Sequence, residues 1–244
     1  MADRVLVEIL VAAPIDTVWK ALRDPAELQR WFGWDCPGLA EEVNQMFVKD
    51  VIALETERVL YAEGMPDRFT FEASGASTIV RVIRSAPVTD QTWQGIYSEE
   101  TEGWLTFLQQ LKFALERHPG ADRRTLYLNG RAKSAETPQP AEALGLSSLA
   151  IVPVGERYAV KTTTAESLEG TVWHRGAYQL GLTVDGYGDG LVILNARPRT
   201  AKSRHGGGAV VITTYGLDDA AYGRMRDRWT EWWRAAYEVI EIQP

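Results

Sequence analysis

The 244-residue chain is poor in several things, and each shortage excludes something. It has one cysteine, Cys36, so no disulfide can form within it, and a reducing compartment is expected. It has three histidines, His118, His174 and His205, which together with Cys36 show no short ligand spacing, so no metal site and no cofactor are expected. No uncharged apolar run approaches the roughly 18 residues of a membrane-spanning helix, and the start Met1-Ala2-Asp3-Arg4 lacks the pattern of a secretory signal; membrane insertion is not expected and the expected location is cytoplasmic. Basic residues are in deficit: 26 Lys and Arg against 33 Asp and Glu give a net charge of −7, which repels nucleic acid and anionic lipid. What remains is an ordinary globular composition with nine tryptophans, rings that must be buried or line something.

Hydrophobic spacing places the elements. Val5, Val7, Ile9 and Val11 alternate as on a half-buried strand. After Pro14 the period changes, and Ile15, Val18, Trp19 and Leu22 follow a helical stripe. Asp24-Pro25 starts a second short helix with Leu28, Trp31 and Phe32 on its apolar side and Gly33 at its end. One or two strands are expected in 38–55, then strands at 56–62, 68–73 and 77–84. A long helix follows, capped by Ser98, with Trp104, Phe107, Leu108, Leu111 and Leu115 in one stripe. A curved antiparallel sheet wrapped round that helix buries the stripe, so the expected class is α+β.

The second half repeats the order. Strands are expected near 125–128, 157–164, 170–184, 190–197 and 209–215. Asp218 caps a last helix with Tyr222, Met225, Trp229, Trp232, Trp233, Ala236 and Ile240 on one side. Trp104-x-x-Phe107-Leu108 matches Trp229-x-x-Trp232-Trp233, and each follows a similar strand, so two tandem copies, 1–120 and 121–244, are expected.

No catalytic constellation emerges. His205-Gly206-Gly207-Gly208 resembles an esterase oxyanion loop, but the matching Gly-x-Ser-x-Gly nucleophile is missing; Gly186–Gly190 has no following helix or Lys-Ser/Thr pair to act as a phosphate cradle. Both are expected to be turns. Cys36 has no basic partner nearby to activate it.

The first half carries a fuller signature. Val7-Glu8-Ile9, Ala13-Pro14-Ile15-Asp16-Thr17-Val18-Trp19-Lys20-Ala21-Leu22, Asp24-Pro25-Ala26-Glu27-Leu28 and Trp31-Phe32 resemble the SRPBCC (START/Bet v-like) superfamily, in its branch of homologues of the C-terminal domain of the heat-shock protein 90 ATPase activator. Glu102-Gly103-Trp104 fits that branch. The second half lacks the Ala-Pro-x-x-x-Val-Trp signature and resembles the superfamily only through its strands and Trp-rich helix.

The resemblance implies a helix-grip fold whose sheet and long helix enclose an apolar cavity. It implies a binder of a hydrophobic or aromatic small molecule; a chaperone-associated interaction module and a cyclase, dehydratase or hydrolase are the alternatives. No catalytic residue carries over. Trp31, Phe32 and Trp34 would stand at the cavity mouth as an aromatic gate or else pack helix against sheet. Tyr61, Phe69 and Phe71 are cavity candidates on the strands. In the second half, period two puts His174 and Tyr178 on one face: turned inward they give a cavity polar handles, turned outward they are solvated strand residues.

Overall fold

The structure is a computed structural model and describes residues 2–86, 97–200 and 203–240. The chain divides into two units, Met1–Asp122 and Arg123–Pro244. The first contains β1 (Ala2–Val11), α1 (Ile15–Ala21), α2 (Pro25–Gln29), α3 (Leu39–Phe47), β2 (Val51–Leu54), β3 (Val59–Ala62), β4 (Asp67–Ser74), β5 (Ser77–Ala86) and α4 (Glu99–Arg117). Its strands form one antiparallel sheet in the order β1-β5-β4-β3-β2.

Two local readings change. A bulge between Val5 and Val7 breaks the alternation of β1, so Val5 pairs with Ile83 and stands half-exposed on the outer face, while Leu6 packs on the core beside Val7, Ile9 and Val11. The stretch after Gly38 is a helix before it is a strand. Gly38 takes a left-handed φ of 94°, acidic Glu41 and Glu42 occupy the first turn, and Val43 and Phe47 turn inward one helical turn apart.

The long helix α4 is held as its sequence suggests. The Ser98 hydroxyl accepts from the Thr101 amide at its start. Trp104, Leu108, Leu111 and Ala114 enter the core with Trp31, Phe32, Phe69 and Phe71.

The second unit contains β6 (Arg124–Ala132), α5 (Pro140–Ala143), β7 (Arg157–Lys161), β8 (Ser167–Arg175), β9 (Gln179–Val184), β10 (Gly190–Arg197), β11 (Gly207–Thr214), α6 (Asp219–Ala236) and β12 (Tyr237–Val239), with short 3₁₀ turns at Ser147–Ile151 and Asp185–Tyr187. The sheet order is β12-β6-β11-β10-β9-β8-β7. Tyr222, Met225, Trp229 and Trp233 form the buried stripe of α6. The segment 170–184 is a hairpin rather than one strand, turning at Gly176–Tyr178. The last helix also stops short of Ile240. Tyr237 is extended, pairs with Ala132, stacks on Trp233 and donates its hydroxyl to the Pro138 carbonyl, and these contacts outweigh continuing the helix.

Both units follow one rule. The first strand lies beside the last strand of a meander, and a long helix follows and packs on the inner face. That is the helix-grip fold, α+β in class. The second unit has one more meander strand, and it adds β12 outside its first strand. Among the described residues no helix is long and apolar enough to cross a membrane.

Candidate functional site

The first unit's interior is a set of aromatic rings. Asp24 caps α2 through the Ala26 amide, Pro25 starts it, and the chain then turns Trp31 and Phe32 inward, with their amides on the Leu28 carbonyl. The Trp31 indole donates to the Ala21 carbonyl at 2.9 Å, which fixes the ring. Phe32 lies 4.8 Å from Phe47 and 4.7 Å from Phe107 between centroids. Phe47 reaches Phe69 at 6.0 Å, and Phe69 meets Trp104 edge-on at 5.1 Å. At the other end Trp34, half-buried, lies 6.0 Å from Phe107. The rings therefore run without a break from a partly solvated indole to a buried one. Phe71 sits deeper along β4, edge-on to Trp19 at 5.3 Å.

The inner end of this path is polar. Trp104 donates its indole N–H to Asp67 Oδ2 at 2.9 Å, and Arg84 clamps the same carboxylate from Nε at 2.6 Å and Nη2 at 2.8 Å. The Asp67 side chain is only 6% exposed. Its bidentate partner neutralises the charge, which burial otherwise makes costly. In return the carboxylate raises the Arg84 guanidinium above its ordinary range. Glu100, near Arg84 at the start of α4, is held below the usual carboxylate range by its own backbone amide first and by the Ser98 hydroxyl next.

Sequence reasoning passed over Asp67, Arg84, Phe47 and Phe107 as site residues. Asp67 was legible in principle. It alternates with Phe69 and Phe71, and all three turn inward. Phe47 was hidden by the misread helix α3.

Tyr61 does not join this site. Its strand partners are Ile52 and Arg68, on the face opposite Leu60 and Phe69, so register sends its ring outward. Trp31, Phe32, Trp34 and Phe69 are brought together, and Phe71 extends the wall.

His174 and Tyr178 do not share a strand face. A bulge at Trp173 shifts β8, so Val172 faces Leu182 on the inner side but His174 faces Gly181 on the other. A Cβ at Gly181 would lie 2.0 Å from His174 Nδ1, so only glycine leaves room for that ring. His174 is buried, with Nε2 3.2 Å from Gln179 Oε1, on the side away from α6. Tyr178 lies in the hairpin turn, half-buried. His174 therefore does not reach the α6 side as a polar handle.

Among the described residues no three His, Cys, Asp or Glu side chains are placed to hold a metal ion. Cys36 is half-buried; burial first, then Glu42 and Asp35, push its thiol up and disfavour the thiolate.

The fold and this interior define a chain of two helix-grip units, the first with a ring-lined interior closed by a carboxylate–guanidinium pair. No family model and no curated protein matches the chain. Solved structures do match. DynU16, a protein of the dynemicin biosynthetic locus, is 17% identical over 94% of each chain, with a TM-score of 0.32. The Aha1 dimer from Colwellia psychrerythraea is 21% identical over 49% of this chain and 100% of its own, with a TM-score of 0.34. The di-domain ARO/CYC StfQ of the steffimycin biosynthetic pathway is 13% identical over 97% of this chain and 98% of its own, with a TM-score of 0.30. Likeness at that level assigns neither a ligand nor an activity to this chain.

Proposed function

We propose that the chain is a binding protein for a hydrophobic or aromatic small molecule, taken up by the first of two tandem helix-grip domains, 1–120 and 121–244, the second a divergent copy. The observation that carries this reading is the continuous ring path from half-buried Trp34 through Phe107 and Phe32 to Trp104. A planar ligand that displaces Trp34 from Phe107 gains the same ring contacts, each worth about 0.5–1.5 kcal/mol beyond area burial. Burying ~200 Å² of its apolar surface adds on the order of 5 kcal/mol before association costs. Micromolar affinity then needs few polar contacts. The reading assigns no catalytic residue, and it goes with a cytoplasmic location.

The test is titration of the full chain with N-phenyl-1-naphthylamine, followed by fluorescence. Saturable binding is expected, weakened roughly tenfold in Phe107→Ala, the loss of about one ring contact. A linear, non-saturating response, or binding indifferent to both Phe107→Ala and Trp34→Ala, would overturn the reading.

A second reading has an observation of its own. Val48, Ile52, Leu54 and Met65 are exposed around β2, the edge strand of the first sheet, as a partner-contacting surface would be. It is the chaperone-associated module. Native capture of a chaperone that Ile52→Asp abolishes would support it, and no capture would remove it.

A further inference from the structure

Among the described residues, the buried tyrosines and tryptophans of the second unit's core are hydrogen-bonded, save one. Tyr158 donates to the Thr183 carbonyl, Tyr187 to Glu166, Tyr222 to the Thr125 carbonyl, Tyr237 to the Pro138 carbonyl, and the Trp229 indole to the Tyr187 hydroxyl. Trp233 is 0% exposed, and its indole nitrogen has no hydrogen-bond partner. Natural interiors rarely keep such a donor empty.

Two more buried atoms without partners belong to the segments around the same strand end, Gln139 Oε1 and His205 Nδ1. The connections are direct. Tyr237 stacks on Trp233 at 4.1 Å and bonds Pro138, next to Gln139. Tyr237 also pairs with Ala132 at the end of β6, whose amide donates to the carbonyl of Gly206, next to His205. Pro140 and Trp233 press on Gly208 and Gly130, which pair with each other across β11 and β6.

We propose that this end of the second unit, beneath β12, is a binding site for a neutral planar molecule bearing a hydroxyl or carbonyl oxygen, such as a phenol. An indole N–H only donates, so it asks for an oxygen and excludes a metal ion. Gln139 Oε1 only accepts, so it asks for a hydroxyl hydrogen. A phenolic oxygen supplies both, and its ring extends the Trp232–Trp233–Tyr237 cluster. Entry needs little unfolding: β12 has three residues and pairs on one side only, with β6. This site is separate from the ring path of the first unit and does not depend on it.

The experiment uses the full chain labelled with ¹⁵N in its indoles, titrated with 2-naphthol and, in parallel, naphthalene. Trp233→Phe identifies the Trp233 resonance. The expected result is a saturating downfield shift of that resonance with 2-naphthol only. Calorimetry should show the 2-naphthol affinity of this site fall about tenfold or more in Trp233→Phe. An equal shift of the Trp233 resonance with naphthalene, or a Trp233 resonance indifferent to 2-naphthol because buried water already occupies the donor, would overturn the proposal. So would 2-naphthol binding that follows Phe107 alone, which would place the phenol in the first unit. If Trp233→Phe fails to fold, Gln139→Leu replaces it, with the same loss expected and its absence counting against the site.

Discussion

In the first unit Asp67 takes the Trp104 indole hydrogen directly, with Arg84 of the neighbouring strand as its counter-ion. In the second, Glu166 reaches Trp229 only through the Tyr187 hydroxyl, and its counter-ion, Arg228, comes from the helix itself. Both arrangements pin a Trp-bearing helix to its sheet through a carboxylate. The difference is what fills the remaining space. Among the described residues, the first unit uses rings against rings and a buried ion pair, whereas the second sets its Trp229–Trp232–Trp233–Tyr237 rings among aliphatic strands and ties its tyrosine hydroxyls to carbonyls and Glu166. A ring-filled interior can exchange one ring for another at little cost. An interior of tied hydroxyls gives up a hydrogen bond whenever it opens.

That contrast should be sharpest in alkali. Burial pushes Tyr158, Tyr187 and Tyr237 well above the ordinary tyrosine range and Tyr215 up to about 12, and all four belong to the second unit. A raised acid favours the native state while it stays protonated. The stabilisation is full below the unfolded value, near pH 10, and is lost as pH rises toward the folded values. A tenfold difference in proton affinity between folded and unfolded chain is worth about 1.4 kcal/mol, so four such hydroxyls together put several kcal/mol at stake. Hydrogen exchange across pH 9–11.5, corrected for the intrinsic rate, should show β6–β11 losing protection ahead of β1–β5. Equal losses in both units would remove the distinction.

The ion pairs break the comparison in the opposite sense. Arg84→Met leaves a carboxylate that is 6% exposed without its counter-ion, and should cost the first unit about 3–5 kcal/mol. Arg228→Met leaves Glu166 at 13% exposure with the Tyr187 hydroxyl still bonded, so about 1–2 kcal/mol is expected in the second. Denaturant titration with unit-specific exchange readouts checks both. Equal costs would mean that burial of the carboxylate does not set the scale.

The sequence spoke most clearly where periodicity was unbroken. The stripes Trp104–Leu108–Leu111 and Tyr222–Met225–Trp229–Trp233 sit in the cores as read, and so does the strand–helix–meander–helix order. It misled wherever one residue shifted the count. The bulges beside Val5 and at Trp173 each flip a face, and single-strand alternation cannot reveal a bulge, because the extra residue is defined only against the partner strand. Tyr61 failed for a related reason. Its face depends on pairing with Ile52 and Arg68, which spacing within β3 does not fix. The Asp67–Arg84 pair was out of reach as a pair, since it joins two strands 17 positions apart. The matched Trp motifs also stand differently, early in α4 but past the middle of α6, so the same spacing serves two anchoring schemes.

The smallest expected difference lies at the helix starts. Asp218 accepts from the Ala221 amide at 2.7 Å with a charged oxygen, and Ser98 accepts from Thr101 at 3.3 Å with a neutral one. A carboxylate at the N-cap adds attraction to the positive helix end, so Asp218→Ala should cost about 1–2 kcal/mol and Ser98→Ala about 0.5–1 kcal/mol. Ser98 has a second role, because its hydroxyl donates to Glu100 and helps keep that carboxyl low. Stability drawn from a depressed carboxyl is present above the unfolded glutamate value, near pH 4.3, and is lost as pH falls through the folded one. Ser98→Ala should therefore flatten the acid limb of the first unit's stability curve as well as lower it. An acid limb of unchanged slope in Ser98→Ala would leave the Glu100 backbone amide as the whole cause of the depressed carboxyl.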